Sequence, residues 1–218
     1  MSDDRLKLTA DNDIATITFD DGKVNALDNA WFHEMLTLLD QVEASKATAL
    51  ILKGRDGIYS GGLNIKWLPT IDKAESVAFS QLFPNVMRRI YHFPKPTVAQ
   101  MTGHAIAGGC LIACACDRRI AMSGMSVAMN EVRVNMTIPG WIIDIVKDAI
   151  PMPHVKTMLK FGDAASTDDL ALWGVVESVH ASASELDAAT ADLVSTFQGI
   201  STADFAGTKA NVRDVLRQ

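Results

Sequence analysis

The sequence predicts an α/β fold with a helical C-terminal part, and three observations predict it. Strand-like and helix-like segments alternate over the first two-thirds of the chain. From Ile142 onward the pattern is mostly helical. Hydrophobic residues make up 48% of the 218 residues, enough to bury a sizeable core.

The elements follow in order. Ile14–Phe19 alternates, with Ala15, Ile17 and Phe19 on one face and Thr16 and Thr18 on the other, as in a half-buried strand. Residues 20–23, Asp-Asp-Gly-Lys, signal a turn. Asp28 is placed to cap a helix running to about Ala44, because Phe32, Met35, Leu36, Leu39 and Val42 recur at helical spacing. Residues 48–53 form a short apolar strand ended by residues 54–57. Residues 59–68 read as a glycine-bearing loop leading into a helix. Residues 73–93 are helical, with Pro84 as a break or kink. Residues 97–101 are a strand, 103–109 a glycine loop and 110–116 a buried helix. Strands at 118–122 and 126–129 follow, then helices at 142–149, 154–161, 167–173 and 183–197. No repeat or linker divides the chain, which reads as one domain over 1–218 with a core to about residue 140 and a helical region beyond.

Composition excludes several classes. Net charge is −6 with no basic stripe, so nucleic acid is not an expected partner. No apolar run approaches the roughly 18 residues of a membrane span. The first residues, Met1-Ser-Asp-Asp-Arg5, look like neither a signal nor a transit peptide. A cytoplasmic location is the expectation. Cys110, Cys114 and Cys116 crowd one apolar run. A metal site would need a second distant pair, so three small buried thiols are the plainer reading and no metal is expected.

Gly103-His-Ala-Ile-Ala-Gly-Gly-Cys110 has the glycine spacing of a phosphate loop but lacks its Lys and Ser/Thr. What remains is a strand, a glycine turn and a buried helix start, where unpaired N–H groups and the positive dipole end meet. That arrangement serves an anion or oxyanion, or simply close packing. Ser60-Gly-Gly-Leu-Asn-Ile65 is a second glycine turn. Two backbone N–H groups from separate loops are what an oxyanion hole requires. Glu131 follows a strand among apolar neighbours, where burial would raise its pKa and suit it as a base. Its plainer role is an ion pair with Arg133 or Arg119. His104 is the alternative base, or a strand-end residue under the turn. Asp117 with Arg118 and Arg119 reads as a structural ion pair. Trp67, Trp141 and Trp173 read as core or pocket wall. Lys23 and Lys66 are either solvated or meet an anionic ligand.

Five segments in this order resemble the crotonase superfamily, the enoyl-CoA hydratases and isomerases. They are Gly22-Lys-Val-Asn-Ala-Leu27, Tyr59-Ser-Gly-Gly-Leu-Asn-Ile-Lys66, the stretch from Gly103 to Asp117, Asn130-Glu-Val-Arg133, and the stretch from Ser166 to Glu177. The resemblance implies a crotonase-like ββα spiral and an acyl-CoA thioester as substrate, with no cofactor beyond coenzyme A itself. It implies a homotrimer, or a hexamer built from trimers. It places the thioester oxygen between the N–H groups of Leu63 and Gly108. The implied substrate-binding residues are Asn25, Ala26, Leu27, Gly61, Gly62, Leu63, Asn64, Ile65, Lys66, Gly108 and Asn130.

The departures point to a reaction. Hydratases of this family use two glutamates; Leu111 stands at the first position and Glu131 at the second. The pairing of a leucine with a single Glu is similar to that of mitochondrial-type Δ3,Δ2-enoyl-CoA isomerases, which implies Glu131 as the proton shuttle. Hydration, other thioester chemistry such as hydrolysis or decarboxylation, and a silent acyl-CoA-binding protein are the alternatives. Asn64 replaces a frequent Asp and Asn135 a usual Gly. The chain also stops soon after Lys209, where most relatives carry further trimer-building helices.

Overall fold

A computed structural model describes residues 5–215. The chain opens with a hairpin of β1 (Leu6–Asp11) and β2 (Ile14–Phe19). Its two-residue turn, Asn12 and Asp13, has φ of 48° and 61°, the doubly positive turn that matches the twist of paired strands. The first of these strands is mostly exposed, although Leu6, Leu8 and Ala10 alternate with Lys7, Thr9 and Asp11; it is not among the strands expected from sequence.

After β3 (Ala26–Leu27), α1 (Asn29–Ala44) begins where expected: the Asp28 carboxylate accepts the Trp31 N–H, which satisfies one orphan donor. Its buried face is Trp31, Phe32, Met35, Leu39 and Val42. β4 (Ala49–Lys53) then enters the centre of the fold. The expected loop at 59–68 instead contains β5 (Gly57–Ser60), β6 (Gly62–Leu63) and the start of a 3-10 turn, Leu68–Thr70. α2 (Lys73–Tyr91) opens on a capping box between Asp72 and Glu75 and runs on through Pro84 without a break.

β7 (Thr97–Met101) and β8 (Gly103–Ile106) lead to α3 (Gly108–Ala115). The expected glycine loop is therefore mostly strand. β9 (Arg118–Met122), β10 (Ser126–Ala128) and a 3-10 turn at Glu131–Val134 follow. Then come α4 (Gly140–Ala149), α5 (Met152–Phe161), β11 (Ala164–Ser166), α6 (Thr167–Leu172), β12 (Val179–His180), α7 (Ala183–Ser195) and α8 (Thr202–Val215).

Six strands form the large sheet in the order β1-β2-β4-β7-β9-β12, and a smaller sheet runs β11-β10-β8-β5. Only the β1–β2 contact in the large sheet is antiparallel. Three times the chain passes from the large sheet to the small one, at β4 to β5, β7 to β8 and β9 to β10. This is the expected ββα spiral. α3 lies at its centre with every residue buried. One core cluster extends from Leu6 to Val176. A second, with Ala49, Ile51, Val98 and Ile120, sits on the other face of the large sheet beneath α7.

Asp117 does not pair with its sequence neighbours. It accepts from Lys209 Nζ (2.8 Å) and Arg213 Nη2 (3.0 Å) of α8, and from the Thr97 N–H and hydroxyl. Arg118 reaches Glu177, and Arg119 caps carbonyls of Val175 and Cys116. Among the described residues no helix is long and apolar enough to cross a membrane.

Candidate active site

The centre of the site is built by two backbone turns. Between β8 and α3 stands Ala107, with φ 50° and ψ −114°. A non-glycine residue in this left-handed region costs on the order of 1–3 kcal/mol and persists only where its surroundings impose it. Its N–H donates to Ala128 O (2.7 Å) and its carbonyl accepts from Leu111 N (3.0 Å). Ala107 is thus fixed between β10 and α3. Gly108, the first residue of α3, has an N–H with no intrahelical acceptor.

The second turn follows β5. Ser60 Oγ donates to Asn25 O (2.7 Å) and accepts the Gly62 N–H (3.1 Å). Gly62 has φ 83°. β6 pairs in parallel with β3, and Asn64 N–H donates to Leu27 O (2.8 Å). Successive N–H groups along a strand point to opposite edges. The Leu63 N–H therefore points away from β3, toward the start of α3. The two backbones touch there. A Cβ on Gly62 would lie 2.9 Å from Gly108 N, and a Cβ on Gly108 would lie 3.6 Å from Leu63 N. Two N–H groups from separate turns converge on one small volume, the geometry that holds an oxyanion.

Glu131 begins the 3-10 turn after β10 and is partly buried. Burial pushes its carboxyl above the ordinary value of 4.5, while its own backbone N–H opposes that rise. Its Oε2 is buried with no hydrogen-bond partner. The structural pairing weighed from sequence does not form. Arg133 instead binds Asp163 Oδ1 (2.9 Å) and Gly162 O (2.9 Å), and Arg119 is spent on carbonyls. A buried carboxylate oxygen without a partner is costly, and such a group in a cleft is a candidate for proton transfer.

Two adjoining cavities meet at Gly61, Leu63, Ile65 and Ile106. The smaller, about 350 Å³, is lined by Ala107, Gly108, Asn130 and Glu131 and walled by apolar side chains of α2 and α4. The larger, about 810 Å³, carries Ala26, Gly62, Asn64 and Trp67, with the cations Arg5, Lys23 and Lys66 outnumbering the one carboxylate, Asp21. The N–H pair thus lies at the junction of an apolar chamber and a cationic groove.

Asn25 and Leu27 line neither cavity. The Asn25 amide is spent on Phe19 O (3.0 Å) and Tyr59 O (3.1 Å), bracing the turn from behind, and Leu27 is fully buried. His104 also lies outside both cavities; its Nδ1 accepts the Ser126 N–H (3.0 Å) and ties β8 to β10. Leu111 is fully buried and reaches neither cavity. Trp141 lines the chamber, Trp67 the groove, and Trp173 stacks on His154 away from both. Sequence reasoning did not assign Phe79, Phe83 or Arg5 to the site. Phe79 and Phe83 sit four residues apart, a spacing that any core helix face shares.

The cysteines are buried, with the sulfurs of Cys110 and Cys114 4.0 Å apart. Burial pushes the Cys116 thiol up to about 12, which keeps it protonated. Among the described residues no three His, Cys, Asp or Glu side chains converge as metal ligands.

Comparison with known proteins bears on this arrangement. Residues 9–217 match the family described as enoyl-CoA hydratase/isomerase. A probable enoyl-CoA hydratase of Bacillus subtilis is 30% identical over 138 residues, which is 62% of this chain and 53% of that protein. The human mitochondrial enoyl-CoA delta isomerase 1 is 24% identical over 170 residues, 76% of this chain and 56% of that protein. The chain spans about half the length of these curated relatives. Among solved structures, the probable enoyl-CoA hydratase ECHA3 of Mycobacterium tuberculosis superposes with a TM-score of 0.90 at 26% identity, covering 98% of this chain and 90% of that one. A structure described as the apo enoyl-CoA isomerase of the same organism gives 0.88 at 26% identity, covering 100% and 96%.

Proposed function

The chain belongs to the enoyl-CoA hydratase/isomerase family, and from that premise we propose that it moves the double bond of a 3-enoyl-CoA thioester to the 2-position. One observation carries this choice within the family: Glu131, whose Oε2 is buried without a partner, is the one carboxylate among the described residues that lines the chamber beside the N–H pair.

The Glu131 carboxylate takes a proton from C2 of the substrate. The released electron pair moves into the thioester, giving a dienolate whose oxygen accepts hydrogen bonds from the N–H groups of Leu63 and Gly108. Protonated Glu131 then delivers the proton to C4, and the double bond settles between C2 and C3. Atoms balance without a cofactor, because coenzyme A enters as part of the substrate. Its phosphates would lie along the groove near Lys23 and Lys66, and the acyl chain in the chamber. Removal of one oxyanion donor in such sites costs about 10²–10³ in rate, which is the share each of the two N–H groups is asked to supply.

Hydration is the second reading, since hydratase names recur among the relatives. Adding water to a 2-enoyl thioester requires one group to activate water and another to protonate carbon. One carboxylate facing apolar walls is poorly equipped for both.

The deciding assay supplies 3-hexenoyl-CoA and follows formation of the conjugated 2-enoyl thioester by ultraviolet absorbance. A parallel reaction supplies the 2-enoyl thioester and follows its loss to the 3-hydroxy product. Turnover in the first and little in the second is expected. Normal binding of CoA esters without isomerisation sinks the proposal.

A further inference from the structure

We propose that a row of aromatic rings sets the length of acyl chain that the chamber can bury, and that this length is about eight to ten carbons. The inference rests on the proposed function, which puts an acyl chain there, and adds its size.

Phe79 and Phe83 stand one turn apart on α2 with stacked rings (5.7 Å, 15°). Trp141, at the start of α4, meets Phe83 edge-on (5.2 Å, 80°). All three rings line the chamber that contains the N–H pair and Glu131. The row is anchored on both sides. Trp67 packs edge-on against Phe79 (5.6 Å). Fully buried Phe32 of α1 lies behind Phe83 (5.3 Å). Phe83 is itself only 8% exposed. Rotating it away would open the close-packed core, which resists gaps even of methylene size.

The chamber holds about 350 Å³. At the ~30 Å³ that a water-sized heavy atom occupies in a liquid, this admits roughly a dozen heavy atoms. The thioester end takes several of these. Beyond the filled chamber the lining reaches solvent at the exposed residues Ser80 and Thr137. A tail that leaves the chamber for solvent gains no further apolar burial. Affinity should therefore climb while methylenes enter the chamber, by up to roughly fourfold each, and then level off.

Isothermal titration of the whole protein with saturated acyl-CoAs of four to sixteen carbons tests this without chemistry. Kd should fall steeply to a break near eight to ten carbons, then stay within about twofold. Trp141→Ala should move the break to longer chains and raise the hexadecanoyl-to-octanoyl affinity ratio at least tenfold. Phe79→Ala serves the same purpose if circular dichroism shows that the first variant does not fold. Affinity climbing steadily to sixteen carbons overturns the size limit and leaves the proposed function standing. So does an unmoved break in a folded variant. Failure to bind any acyl-CoA overturns both.

Discussion

Glu131 carries an oxygen that the fold buries without a partner, and its energetics and its chemistry pull in opposite directions. Burial raises the folded-state pKa above the ordinary 4.5. The folded protein therefore holds this proton more tightly than the unfolded chain. By linkage, the group's contribution to stability is full below about 4.5 and falls as pH rises through the folded-state value. Glu131→Gln removes that loss. At pH 7 the variant should melt higher than wild type, and the difference should vanish near pH 4, as differential scanning calorimetry would show. The rate behaves oppositely. A sole general base contributes about 10²–10⁴, so the variant's kcat should drop by that factor with KM little changed. For wild type, kcat/KM should decline on the acid side with an inflection above 4.5. A near-normal Glu131→Gln rate moves the base elsewhere.

Helix α3 shows how an element turns glycine content into function. Gly109 packs so closely on the β5–β6 turn that a Cβ there would lie 2.3 Å from Ser60 O, a backbone atom that cannot swing aside. The close approach brings the Gly108 and Leu63 N–H groups together. Gly109→Ala must push the helix off the turn by an ångström or so. Misplacement on that scale costs up to about 10² in rate, so kcat/KM for a 3-enoyl-CoA should fall by roughly that factor while the folded α3 is retained by circular dichroism. Unchanged kinetics would mean that the turn yields instead. Both glycine turns were legible from sequence, because glycine is readable wherever backbones must touch. The strand character of Gly103–Ile106 was not. Its four residues, Gly-His-Ala-Ile, carry weak strand propensity, and pairing with β5 and β10 decides their state. Nor was the continuity of α2 through Pro84. Asp72 and Glu75 cap its start, and the buried Phe83, Val86 and Met87 outweigh one missing N–H.

At the scale of the whole molecule, the alternation of strands and helices and the two glycine turns were legible because they rest on local signals, namely caps, glycines and apolar runs, whereas the spiral was implied by the family resemblance. Long-range ionic connections were not legible, since any of several cations can answer a carboxylate at similar sequence cost. Asp117 illustrates this. Its neighbours Arg118 and Arg119 suggested a local pair, yet it binds β7 through Thr97 and α8 through Lys209 and Arg213. The two α8 cations are each about 5% exposed at the side chain. Arg213 also stacks over Tyr91 at 3.8 Å and reaches Asp148. Asp117 is therefore the join between the terminal helix and the sheet. A buried cation that loses its carboxylate keeps its desolvation cost and loses its compensation, a penalty of about 3–5 kcal/mol. Asp117→Asn leaves Arg213 with Asp148 and Lys209 with the Phe93 carbonyl, and should lower stability by up to that amount in urea denaturation. Lys209→Met in the same background removes one stranded charge and should recover part of the loss. The cluster gathers at the C-terminal end of α3, the end opposite Gly108. Steady-state constants of the folded Asp117→Asn protein should stay within a few-fold of wild type. A loss of rate as large as that of Gly109→Ala would show instead that α8 holds α3 in its catalytic position.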